Sequence, residues 1–334
     1  MRQLTLTAVG QDLGESVELV DRPDPVLAGD DLLVAVEAAP INNADMLFAA
    51  GWFAVQPSVP SELGAEGVGR VVQVGPAADP ELVGRRVLIL PTFEHGTWTD
   101  HAVVPARSVI PVSDRGDALQ LAMLPVNPAT AYALLNDFVS LKPGDWIGLN
   151  LANSAVGQYV ITLAGLAGVK TLAVVRREEA AEQVRQLGAD LVLVEGENLG
   201  DRVKQALGGN QLRLLLDGTG DSSQVSELVG AVEAGGSVVV FAAVSGQSPA
   251  LPLPDLIYRG ISLRSFFVLN WIRAASRQRL EKVYAELAEL AEKGTISAAV
   301  EATYPLEEFR TALEHAGRTG RTGKILFTPG RPTA

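Results

Sequence analysis

Asp145 to Arg177, DWIGLNLANSAVGQYVITLAGLAGVKTLAVVRR, decides the fold of this chain. It opens on a short apolar run, Trp146 to Leu149, and passes through a turn of small and polar residues. Apolar residues then recur at helical spacing (Val156, Val160, Ile161, Leu163, Ala164, Ala167) until Gly168 ends the pattern, and Thr171 to Val175 is a second run of strand length. This is a βαβ unit. Its turn, Ala152-Asn153-Ser154-Ala155-Val156-Gly157, keeps the spacing of G-x-G-x-x-G with Ala152 and Ser154 in place of the first two glycines. Small residues there permit a tight turn and close approach of backbone N–H groups to a pyrophosphate, and Gly157 lets the helix pack on the sheet. The helix N-terminus adds positive dipole and unpaired donors. The expected ligand is a dinucleotide.

The end of the second strand selects the dinucleotide. A site for the unphosphorylated form places Asp or Glu roughly 20 residues past the loop, to hold a ribose 2′-hydroxyl. Here Arg176 and Arg177 stand in that place, the first of them 19 residues after Gly157 (176 − 157). Guanidinium groups bind phosphate through charge-assisted, bidentate hydrogen bonds and offer a neutral diol no anion to pair with. NADP(H) is therefore the expected cofactor. The alternative is that the two arginines cap a strand and solvate a helix start beside Glu178 and Glu179.

Outside this unit, 334 residues are enough for two domains with ample cores. The chain is 47% hydrophobic and 20% charged, the composition of a globular protein. A net charge of -12 argues against a nucleic-acid partner. There is no cysteine, hence no disulfide. The first twenty residues alternate like a strand and lack the apolar core of a signal peptide, and no apolar run is long enough to span a bilayer. A cytoplasmic location without membrane contact is expected.

Up to about Val112 the chain reads as short strands broken by Gly and Pro: Leu4 to Val9, Val17 to Val20, Asp31 to Ala38, Gly67 to Val74 and Arg86 to Leu90. Such spacing suggests a barrel-like β domain. Ile41 to Val59 reads as a short helix followed by an aromatic loop. From about Ala118 helices and strands alternate: helices at Glu178 to Leu187 and Val225 to Ala234, strands at Leu191 to Val194, Leu212 to Leu216, Ser237 to Ala242 and Ile261 to Phe267. That alternation implies an α/β fold with a doubly wound parallel sheet and ligands at the carboxyl ends of its strands. An amphipathic helix, Arg277 to Lys293, and a last strand, Gly323 to Phe327, return to the first domain. Residues 119–268 are then a nucleotide-binding insertion, and 1–118 with 269–334 form the host domain.

The motifs INNAD (Ile41 to Asp45), GAEGVG (Gly64 to Gly69), HGTWTDHAV (His95 to Val103), LPVNPATAYALL (Leu124 to Leu135), NSAVGQ (Asn153 to Gln158), VVRR and GKILFTP together resemble the medium-chain dehydrogenase/reductase superfamily. The chain is most similar to its zinc-free, NADPH-dependent 2-enoyl thioester reductases, with quinone oxidoreductases next. The resemblance implies a Rossmann domain set into a β-rich, GroES-like catalytic domain, and a homodimer. It puts Asn127 and Thr130 against the nicotinamide, and Asn153, Ser154, Ala155 and Val156, beside Gly157, on the pyrophosphate. Arg176 and Arg177 take the 2′-phosphate. Phe241, Ala242, Ala243 and Val244, Phe266, Phe267 and Val268, and Lys324 match further cofactor-contacting positions. Phe266, Phe267 and Trp271 could equally wall an apolar acyl pocket.

The residues also argue against zinc. Catalytic zinc takes three protein ligands, mostly Cys and His, and structural zinc usually four cysteines. This chain has His95, His101 and His315 alone, and Ala65 stands where zinc-dependent relatives carry a histidine in the glycine-rich motif. One position departs from the enoyl reductases: their proposed proton donor is a tyrosine two residues past the glycine that follows the INxxD motif. Here that place is Phe53, which has no proton to give. The expected reaction is hydride delivery to an activated alkene, a 2-enoyl thioester or enone. Quinone reduction, or cofactor binding with catalysis lost, are the alternatives.

Overall fold

The computed structural model describes residues 1–10 and 12–330. The chain divides into two compact units: Asn127–Arg273, and Met1–Val126 together with the chain from Ala274 on.

The Asn127–Arg273 unit is built on a six-stranded parallel sheet. Its spatial order is Leu191–Val194, Lys170–Val175, Trp146–Leu149, Leu212–Asp217, Val232–Val240 and Ser262–Ser265. In chain order this is 3-2-1-4-5-6, with the reversal between Trp146–Leu149 and Leu212–Asp217, where open α/β sheets bind ligands. The strands are near-continuous apolar runs because helices cover both faces. Leu172, Val174, Leu212, Leu215 and Val238 are all but inaccessible, and Val203, Leu207, Val225 and Leu228 from two helices pack with them.

Two expectations are corrected here. The helix read from Val225 to Ala234 stops at Leu228, and Val232–Val240 is already strand. Gly235 has φ 79°, and a Cβ on Gly236 would lie 2.5 Å from a Val232 methyl, so this stretch cannot continue a helix. Arg213 reaches Glu233 (3.4 Å) and Asp145 (3.7 Å), holding the strand start by charge that periodicity does not register. The strand read from Ile261 to Phe267 is only Ser262–Ser265. Ile261 and Phe266 are buried, the four residues between them are exposed, and the chain turns into the helix Val268–Ala274. The helix Leu199–Leu207 was not read at all.

The other unit joins both ends of the chain in one seven-stranded sheet. Val300–Tyr304, Lys324–Phe327, Asp31–Pro40, Gly67–Val74, Arg86–Ile89 and Val109–Val112 lie in that order, and His101–Pro105 pairs with Asp31–Pro40. Leu326 and Phe327 sit opposite Pro40 and Ala39, so the C-terminal strand does return to the N-terminal domain. A smaller sheet, Val17–Asp21, Arg2–Leu6 and Ser61–Glu62, flanks it. Trp98, Phe48 and Phe327 are large side chains buried in one core cluster of this unit, with the Trp98 and Phe327 rings edge to face at 5.3 Å. Gly64 (φ 95°) leaves room for Trp98, whose ring carbon would lie 2.4 Å from a Cβ there. This explains one glycine of the GAEGVG motif. Among the described residues, no helix is long and apolar enough to cross a membrane.

Candidate nucleotide site and a buried charged cluster

The nucleotide loop begins at Asn150, the residue after the strand Trp146–Leu149. Asn150 is fully buried, and its amide donates to Asp217 Oδ1 (2.7 Å) and Thr219 Oγ1 (3.0 Å), while its Oδ1 accepts from the Gly218 N–H (2.7 Å). Asp217 in turn accepts from the N–H groups of Thr219 and Gly220. This network ties together the carboxyl ends of the two strands at the topological reversal. Every member is satisfied, so it holds the crevice without an orphaned polar group. Sequence reading missed it, because its members are 67 residues apart and none stands in a motif.

Leu151 takes φ 51°, and the helix Ala155–Leu166 then starts on an N-cap: Ser154 accepts from the Gly157 N–H at 3.1 Å. A Cβ on Gly157 would lie 2.4 Å from the Ala152 carbonyl oxygen, so glycine is required there. Asn153 lies in the turn, Ser154 is the N-cap, and Ala155 and Val156 open a three-turn helix, the arrangement in which helix N-termini bind anions. Past the second strand, Arg177 is the N-cap residue of the helix Glu178–Gln186, and both Arg176 and Arg177 are exposed. Among the described residues neither guanidinium makes an ion pair. Glu178 and Glu182 are taken by Arg185 instead.

Of the remaining expected positions, Phe241, Ala242, Ala243 and Val244 follow the fifth strand. The Phe241 ring comes within 2.8 Å of where a Gly218 Cβ would stand, and the Gly218 position also faces Leu151. These residues gather at the carboxyl ends of the strands. Asn127 opens the helix Asn127–Asn136, with Thr130 buried one turn on. Phe266 is buried edge to face with Phe138 at 6.2 Å, Phe267 is half-buried, and Val268 starts the next helix. On that helix the Trp271 indole N–H donates to the Asp137 carboxylate at 2.8 Å. That bond fixes one edge of the ring.

In the other unit Phe53 is half-buried, 4.9 Å from Phe93, whose ring is also 4.9 Å from Phe48. Phe53 thus packs in a row of three aromatic rings. The adjacent Trp52 is 67% exposed.

The same unit contains a cluster that sequence reading did not assemble. Asn42 caps the helix Asn43–Ala49, and its backbone N–H donates to Asp45 (2.8 Å); the other Asp45 oxygen accepts from the Ala65 N–H (2.8 Å). The Asn42 side-chain amide donates to Glu66 Oε1 (2.7 Å), and Glu66 Oε2 accepts from the Val126 N–H (2.8 Å). The Lys324 ammonium donates to Asn42 Oδ1. Asp45 is 1% exposed and Glu66 is fully buried. Two buried carboxyl groups thus lie near one ammonium. Burial pushes Glu66 up to about 8, against the pull of Lys324 and Asn42, and pushes Asp45 up to about 6. Burial lowers Lys324, while Glu66 and Asp45 pull it back up. INNAD, GAEGVG and GKILF meet here, so the signal was in the sequence and only its pairing was hidden.

The histidines are placed elsewhere. His95 is buried with Nδ1 at 3.1 Å from Thr92 Oγ1, and burial holds it below the ordinary histidine range. His315 lies between Tyr304 and Glu301. Among the described residues no three His, Cys, Asp or Glu side chains form a group that could hold a metal ion.

Residues 28–114 match the alcohol dehydrogenase GroES-like domain family, and residues 155–293 match the zinc-binding dehydrogenase family. The donor set just described does not fit the metal in the second name. The chain is 34% identical over 307 residues to the mitochondrial enoyl-[acyl-carrier-protein] reductase of Caenorhabditis elegans, covering 90% of this chain and 86% of that protein. Two solved structures share its fold. One is a mycobacterial quinone oxidoreductase (TM-score 0.85, 24% identity, 98% of this chain and 100% of that one). The other is the complex of Etr1p with NADP and crotonyl-CoA (TM-score 0.82, 21% identity, 98% of this chain and 99% of that one). The chain is thus a member of the medium-chain dehydrogenase/reductase superfamily, in the family of the mitochondrial enoyl-[acyl-carrier-protein] reductases.

Proposed function

We propose that this protein is an NADPH-dependent reductase of carbon–carbon double bonds conjugated to a carbonyl, with 2-enoyl thioesters or enones as substrates, and that it works without zinc. The observation that carries the cofactor is the pair Arg176 and Arg177, exposed and free of carboxylate partners beyond a capped dinucleotide loop. The substrate class rests on the enoyl reductases among its relatives. When bound, NADPH supplies the hydride. The first turn of the helix Ala155–Leu166 presents backbone N–H groups to the pyrophosphate, and the two guanidiniums take the 2′-phosphate.

Phe53 favours a second reading. A quinone is also a planar conjugated acceptor, and its reduced product takes protons from water, so it needs no phenol in the place where this chain has Phe53. We further propose a homodimer formed along the strand Ser262–Ser265, an outer edge of the parallel sheet with exposed Leu263, and Ile257 and Tyr258 exposed just before it. Steady-state assays of enoyl thioesters, enones, quinones and alcohols, each with NADPH and NADH, test the function. The expected result is enoyl reduction with NADPH; turnover of quinones alone would move the assignment to the second reading.

A further inference from the structure

The parallel sheet of the Asn127–Arg273 unit has two outer strands. Ser262–Ser265 is one of them, and Leu191–Val194 is the other. The second has the composition of a strand that pairs: it reads Leu-Val-Leu-Val, uncharged, with all four residues half-buried. Leu191 and Leu193 pack on the core of the unit. An apolar outer strand recruits further strands unless something stands in the lane beside it.

Arg202 stands in that lane. The Glu195 N–H donates inward to the Val175 carbonyl at 2.8 Å. In a trans peptide the carbonyl of the preceding residue points the opposite way, so the Val194 carbonyl faces out of the sheet. The Arg202 guanidinium donates to that oxygen at 2.9 Å. A pairing strand would run about 4.8 Å from Leu191–Val194, through the space that the guanidinium fills. Arg202 is the fourth residue of the helix Leu199–Leu207, and the chain turns back from the strand at Gly196, whose φ of 143° a side chain would strain. A Cβ at Gly196 would lie 3.6 Å from Arg202 Nη1, so the guanidinium also covers the turn that delivers it.

We propose that Arg202 guards this edge: it keeps Leu191–Val194 from pairing with the same strand of a second copy of the chain. A second copy is the natural occupant, because a two-fold axis beside the strand sets the Leu-Val-Leu-Val run antiparallel to itself and needs no other sequence. The consequence for assembly rests on the homodimer reading above. With both edges open, each copy would carry two self-complementary strands, and pairing at both would join copies into rows of growing length. With Arg202 in place, pairing is confined to Ser262–Ser265 and stops at two.

The test compares wild type, Arg202→Ala and Arg202→Lys by light scattering over a range of micromolar concentrations, by thermal melts, and by amide hydrogen exchange at Val192 and Val194. These two N–H groups point outward with the Val194 carbonyl, so in wild type they should exchange fast. In Arg202→Ala the average mass should climb with concentration to at least about twice that of wild type, and both amides should become protected. Arg202→Lys, which keeps a cation in the lane, should stay at the wild-type mass. A folded Arg202→Ala of wild-type mass, even with a lowered melting temperature, would make Arg202 a local cap only and overturn the proposal. So would a rise in mass without new protection at Val192 and Val194, or an equal rise in the alanine and lysine variants. Protection of the two amides in wild type would overturn it as well, a result that stands even if Arg202→Ala does not fold. A monomeric wild type would sink the homodimer reading separately, because the guard is read from the rise in Arg202→Ala over whatever mass wild type has.

Discussion

Phe53 poses the sharpest question for a single side chain. If the site still accepts enoyl thioesters, Phe53→Tyr places a phenol where the product must gain a proton. Positioned acids are worth about 10²-fold to 10⁴-fold, so even a poorly aligned hydroxyl should raise enoyl turnover several-fold while leaving quinone reduction nearly unchanged. The competing outcome follows from its neighbours. Phe53 packs on Phe93, and a hydroxyl buried there without a partner costs about 1 to 3 kcal/mol. Stopped-flow NADPH oxidation run beside thermal melts separates the two. Glu66 gives a second prediction at this scale. Its folded pKa, about 8, lies above the 4.5 of an ordinary glutamate, so between those values the folded state holds a proton that the unfolded state has lost. Its contribution is full below pH 4.5 and is lost as pH rises through about 8. Thermal melts from pH 5 to 9 should show Glu66→Gln losing less stability with rising pH than wild type; parallel curves would contradict a buried, protonated Glu66.

Among the elements, the strand–loop–helix unit of 146–166 and the arginines after the next strand are the ones proposed to carry cofactor choice. Arg176→Ala should raise the NADPH dissociation constant by about tenfold to a hundredfold, the loss of one charge-assisted contact, and change NADH binding much less. Equal weakening of both cofactors would sink the 2′-phosphate assignment. This unit was legible in the sequence because everything that shapes it is local: apolar spacing, Ser154 as the cap, and Gly157 where a Cβ would strike Ala152. The elements that were misread are set by distant partners. Val232–Val240 is a strand because Leu212–Asp217 pairs with it, although its first residues look like the end of a helix. The Asn42–Glu66 bond spans 24 residues and the Asn42–Lys324 bond 282, so each motif was visible and their meeting was not.

For the molecule as a whole, the outer edge at Ser262–Ser265 should pair with its copy in a second subunit. Light scattering at micromolar concentration should give twice the mass of one 35.2 kDa chain. A monomer would refute the dimer, and the exposed Ile257 and Tyr258 would then need another cover. The two-unit division also sets a timetable. Residues 127–273 are synthesised between the two parts of the other unit, whose sheet joins Pro40 to Leu326. On a ribosome moving at about 5 to 20 residues per second, Lys324 follows Glu66 by roughly 10 to 50 seconds. During that interval the inserted unit has its whole sequence and can fold, while Asp45 and Glu66 await the cation of their cluster. The nascent chain thus holds the whole sequence of its parallel-sheet unit before the last strand of the other unit's sheet has been made.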